Sequence, residues 1–183
     1  VDLLNMPNYV TKARARLQHP FPKKPQHSPH PYAVPTYGAK QQYAKQAGTT
    51  CQLTPPQIKY CQEFTGLFIY YGRAIDNTMQ TAISSIASAI STSTWNDIHF
   101  RINHFLDYAA THPNAFIRYK ASKMHLWVHS DASYLNETKA RSRNGGFFYL
   151  SDKPNLPITP DDPAPPLNAP ILVNSKTIDA VMS

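Results

Sequence analysis

The chain has 183 residues, 42% of them hydrophobic, with 18 Lys and Arg against 11 Asp and Glu. That length and apolar content suit one core, in a single domain or a domain with an appendage, and the net charge of +7 fits either a polyanionic partner or plain solubility. No apolar run reaches the roughly 18 residues of a membrane-spanning helix, and Cys51 and Cys61 make no metal-ligand spacing with the eight histidines, which argues against a zinc motif.

Residues 1 to 50 carry seven Lys or Arg and a single acid, Asp2, so six of the seven net charges lie in the first quarter. "KARAR" at 12 to 16 supplies Lys12, Arg14 and Arg16, and Lys23 and Lys24 follow. These five cations suit a phosphate backbone through counterion release, with a solvated linker as the equal alternative. "HPFPKKPQHSPHPYAVP" (19 to 35) has few apolar anchors and many missing N–H donors, so it reads as an extended, partly polyproline linker. Tyr32 and Tyr37 within it are candidates for base stacking. No signal peptide precedes it, and free thiols in an intracellular chain are the expectation, with a Cys51–Cys61 disulfide as the alternative. The first residue is Val rather than Met, which raises the possibility of a piece of something longer.

Helical signals come next. Thr54, Pro55 and Gln57 form a capping-box start, and Ile58, Cys61, Phe64, Leu67, Phe68 and Tyr71 recur on one face. A second helix is expected from about Asn77, with Met79, Ala82, Ile83, Ile86, Ala87 and Ile90 on its stripe. A third begins at Thr94 and Asp97 and uses Ile98, Ile102, Phe105, Leu106 and Ala109 before "THP" stops it.

After Pro113 the period changes to two. "AFIRYK" alternates, and "MHLWVHSD" puts Met124, Leu126 and Val128 on one face and His125, Trp127, His129 and Asp131 on the other. "GGFFYLS" (145 to 151) and "APILVNS" (169 to 175) are further strands, separated by a second proline-rich stretch. The expected fold class is therefore α+β: three helices followed by a hairpin-rich sheet.

Asp131 is the residue that most needs a cause, because Asp is depleted in strands. One role is a strand-terminating cap that bonds its own backbone. The other is a metal ligand, since phosphoryl chemistry on nucleic acid uses carboxylates to hold two divalent cations about 3.5 to 4 Å apart. Lys139, Arg141 and Arg143 follow closely and suit phosphate contacts around such a site. Trp127 and Tyr134 are alternative stacking residues, with core packing the competing role for Trp127. His125 and His129 share the face of Asp131. Asp152, Asp161, Asp162 and Asp179 read as solvated surface.

"CQEFTGLFIYYGRAIDNTMQTAISSIAS", "WNDIHFRINHFLDYAATHP", "LWVHSDASYL" and "KARSRNGGFFYL", in that order, resemble the C-terminal part of copia-type retrotransposon polyproteins, and "MPNYV" at 6 to 10 looks like the start of the reverse transcriptase thumb. The resemblance covers nearly the whole chain and implies a polymerase domain followed by a magnesium-dependent ribonuclease H that cuts the RNA strand of an RNA:DNA hybrid. It divides the chain into a basic arm and linker at the end of the thumb (1 to 53), a helical connection (54 to 113) and a truncated ribonuclease H-like domain (114 to 183). By position, Asp131 matches the first catalytic, magnesium-binding carboxylate of that domain. The polymerase Y-x-D-D motif and the next catalytic Glu fall outside the sequence, so the resemblance is to a fragment, inactive alone, whose partners are nucleic acid and the rest of the polyprotein.

The alternatives are a non-catalytic nucleic-acid-binding module and a helical scaffold for protein. If the ribonuclease H resemblance holds, residues 124 to 131 pair antiparallel with 145 to 151, the strand near 170 joins the same sheet, and Asp131 lies on a central strand. An edge position, a loop carboxylate capping its own backbone, or a failure of 145 to 151 to pair with 124 to 131 would rule out the metal-ligand assignment and leave the cap. Removing residues 1 to 50 is expected to flatten the salt dependence of nucleic-acid binding.

Overall fold

A computed structural model describes residues 1–32, 53–134, 142–152 and 165–178. In chain order the elements are β1 (Asp2–Asn5), α1 (Tyr9–Arg16), α2 (Pro55–Ala74), a 3₁₀ turn (Asn77–Met79), α3 (Gln80–Ala89), α4 (Trp95–Thr111), β2 (Phe116–Tyr119), β3 (His125–Ala132), β4 (Arg143–Ser151) and β5 (Pro170–Thr177). The fold is mixed α+β, with four helices and two small antiparallel sheets among the described residues.

The helix starts follow their capping chemistry. At α2 the Thr54 N–H donates to Gln57 Oε1 at 2.9 Å, with Pro55 at the first helical position, where its missing N–H costs nothing. At α4 the Thr94 hydroxyl accepts from the Asp97 N–H at 3.3 Å. Their apolar faces then meet: Phe64, Phe68 and Phe105 are fully buried, and Phe105 stands edge-on to the other two at centroid separations of 5.1 and 5.0 Å. Cys61 is a free thiol in the same cluster, and burial pushes it up from its ordinary range, while Cys51 lies outside the described residues.

The first fifth of the chain does more than link. Tyr9 to Arg16 form a helix, and Val10, Ala13 and Leu17 are buried with α2, α3 and α4 in one core. Tyr9 stacks on Tyr71 at 5.3 Å and donates to the Leu67 carbonyl at 2.8 Å. Removing residues 1 to 50 would therefore open the core, and the salt dependence has to be tested by point substitution instead.

Strand pairing departs from the sequence reading in two places. Phe116–Tyr119 is a strand, but it pairs with the N-terminal β1 (Leu4 opposite Ile117) in a separate sheet, and the Tyr119 hydroxyl donates to the Pro170 carbonyl of β5 at 3.0 Å. The other three strands form one antiparallel sheet in the order β3-β4-β5, with Trp127 opposite Tyr149 and Phe148 opposite Leu172, so the long proline-rich excursion does return to the same sheet. In that order the central strand is β4. Asp131, expected on a central strand, lies among the described residues on an edge strand, β3. Leu126 and Val128 share an outer face with Leu172, and all three remain exposed.

The sheet meets the helices through its other face. Arg143 on β4 donates to the Ser84 hydroxyl of α3 at 2.9 Å and to Ser175 of β5 at 3.1 Å, and Ser175 lies 3.3 Å from the Thr81 hydroxyl.

Candidate functional site

Asp131 sits one residue from the end of β3, opposite Gly145. With no side chain at Gly145 or Gly146, a groove of about 430 Å³ opens beside it, lined also by Ser130, Asn144, Phe148 and Asn174. A Cβ at Gly146 would lie 2.8 Å from Phe148 Cε2 and 2.9 Å from Asn174 Oδ1, so these two side-chain ends would have to shift to admit it. That Asn174 oxygen is buried and has no hydrogen-bond partner among the described residues.

The carboxylate itself is engaged locally. Asp131 Oδ1 accepts the N–H of the next residue, Ala132, at 2.8 Å, a bond to its own backbone, while β3 runs on through Ala132, which pairs with Asn144. The edge position and this bond are the two features that favour the cap. Neither is what a two-cation centre needs, and among the described residues no three of His, Cys, Asp and Glu stand close enough to hold a metal ion. The described chain therefore does not fit a two-magnesium centre by itself.

The neighbours of Asp131 hold structural posts. The His129 Nε2 and Tyr149 hydroxyl are 3.1 Å apart, and Tyr149 is fully buried. Half-buried Trp127 is no core residue; its indole donates to the Asp152 carbonyl at 3.0 Å, and Asp152 Oδ1 accepts the Lys123 N–H. Tyr134 is exposed, as is Tyr32, while Tyr37, Asp161, Asp162 and Asp179 lie outside the described residues.

The cations divide by environment. Lys12, Lys23 and Lys24 are exposed. Arg16 is exposed but ion-paired with Glu63 across to α2. Arg14 turns inward: it donates to the His19 carbonyl at 3.4 Å and stands 5.2 Å over the Phe21 ring. Burial lowers its proton affinity and Asp107 opposes that effect, so Arg14 is occupied in holding the arm. Arg143 ties β4 to α3 and β5, and Lys139 and Arg141 lie outside the described residues. The structure thus brings three of the predicted cations to open surface and commits two of the arginines to internal contacts.

Sequence reading misses the buried carboxylate of Asp76. It accepts from the Thr78 N–H at 3.2 Å and from the Tyr108 hydroxyl at 3.5 Å, fixing the turn between α2 and α3 against α4. The signal that could have found it is local: an Asp two residues ahead of a Thr at a helix junction is a capping pattern.

No family model, curated protein or solved structure matches the chain. No helix among the described residues is long and apolar enough to cross a membrane.

Proposed function

We propose that the chain is part of a copia-type reverse transcriptase and ribonuclease H polyprotein, in which its helices follow the polymerase and β3, β4 and β5 begin the ribonuclease H sheet. The observation that supports this reading is the strand order: three consecutive strands pair antiparallel, with Asp131 on the first of them beside an open groove. In this reading magnesium belongs to the centre of the complete parent domain, and the edge position of Asp131 favours a cap over a ligand for this residue. Alone, Asp131 caps its own strand, and the chain acts on nucleic acid by binding rather than by hydrolysis.

Binding rests on the exposed lysines of the arm. Each phosphate neutralised releases counterions, so the logarithm of the affinity for an RNA:DNA hybrid should fall linearly with the logarithm of salt concentration. Replacing Lys12, Lys23 and Lys24 by Gln should make that slope shallower by roughly 1 for each phosphate that is no longer neutralised. Fluorescence anisotropy with a labelled hybrid measures both slopes. Identical slopes would assign these lysines to solvent, and no salt-dependent binding at all would remove the nucleic-acid reading.

A further inference from the structure

We propose that His27 and His112 form a two-imidazole site for a divalent transition-metal ion of the zinc, nickel or copper class, which clamps the proline-rich arm onto the end of α4. Their separation in sequence, 85 residues, hides the pair from any local motif. In space His27 Nδ1 and His112 Nε2 are 3.2 Å apart, with ring centroids at 5.3 Å and ring planes at 60°. A tetrahedral ion bound at about 2.0 to 2.1 Å from each imidazole nitrogen holds two such nitrogens about 3.3 Å apart. The observed separation already matches that edge.

The backbone on both sides of the pair is fixed. The Gln26 N–H donates to the Thr111 hydroxyl at 2.9 Å, and its side-chain amide lies 3.4 Å from His104 Nδ1. His104 Nε2 in turn contacts the Ser28 carbonyl at 3.0 Å. His27 is thus pinned to α4 through both of its neighbours. His112 closes α4, its N–H donating to the Tyr108 carbonyl at 3.0 Å. Two surface imidazoles held this way are preorganised, so little side-chain and backbone freedom is lost when an ion joins them.

His27 is exposed and His112 is half-buried, so water can fill the remaining coordination positions. No third His, Cys, Asp or Glu joins them among the described residues, which makes the site weaker than a four-ligand structural zinc centre. Imidazole nitrogen is the donor that zinc, nickel and copper(II) accept readily and that magnesium and calcium do not. Without metal, one ring donates its N–H to the other. On binding, that ring carries its proton on its other nitrogen, exchanged through water, which frees both facing nitrogens for the ion.

The test is isothermal titration of the full chain, free of any affinity tag, with zinc chloride in a non-coordinating buffer at neutral pH. One ion per chain is expected, with affinity at least tenfold lower in His27→Ala and in His112→Ala and no further loss in the double variant. His125→Ala, on the far sheet, should bind as the parent does. Circular dichroism checks that the variants fold. Electron spin echo spectroscopy of the copper(II) form should show two coordinated imidazoles, and it needs no variant. Absence of binding, affinity unchanged in either His variant, or a copper spectrum with fewer than two imidazoles would each overturn the site.

Discussion

Gly146 lies opposite Ser130 on β3, at the floor of the groove beside Asp131. Its neighbour Gly145 has only the Asp131 carbonyl near, at 4.0 Å from an added Cβ. Gly146→Ala should therefore cost about 1 to 3 kcal/mol through overpacking against Phe148 and Asn174, while Gly145→Ala should stay within about 0.5 kcal/mol. Urea unfolding midpoints of the two variants make the comparison. Residue roles at this scale are partly legible in the sequence. An Asp inside an alternating strand pattern marks Asp131 as a position with a cause, and the cap is one of the two causes the pattern allows. Which cause operates depends on strand order and on the 2.8 Å bond to Ala132, and neither is written in the local pattern. Arg14 escapes the sequence reading for a similar reason: a guanidinium in a basic run looks free until the arm folds Phe21 beneath it.

The helices are the most legible elements, because capping boxes and three- and four-residue apolar spacing are local signals that packing of Phe64, Phe68 and Phe105 then reinforces. Proline content hides how the arm is held. Residues 19 to 32 have no regular structure, as expected, yet they are laid along α4 through His19 and Asp107 at 2.8 Å, Gln26 and Thr111, and Ser28 and His104. Burial holds the His30 imidazole below its ordinary value of about 6.5, with Arg101, Arg143 and His104 adding to the effect and the Thr81 backbone opposing it. The sign follows from linkage. The unfolded chain binds the proton more readily, so the stability associated with neutral His30 is present above about pH 6.5 and is lost as pH falls through the depressed value. Thermal midpoints should drop as pH is lowered below that point, and the drop should be smaller in His30→Gln. An equal drop in both would place the acid sensitivity elsewhere.

At the level of the whole molecule, α+β class and the return of β5 to the same sheet are legible, since two runs of alternating or apolar residues near Arg143–Ser151 and Pro170–Thr177 need a shared partner. The pairing of β1 with β2 is not, because four residues at the start of a chain carry no periodicity long enough to read, and their partner lies more than a hundred residues away. What ties the basic first segment into the core is Val10, Ala13 and Leu17, and they explain why its charge cannot be removed by truncation. The measurement that tests the central reading most directly is a single gel in which labelled RNA:DNA hybrid is incubated with the full chain and magnesium, at low salt. The account predicts a retarded hybrid whose RNA strand stays full length, with the parent chain and with Asp131→Asn alike. RNA shortening that Asp131→Asn abolishes, or a hybrid that is not retarded, would contradict it.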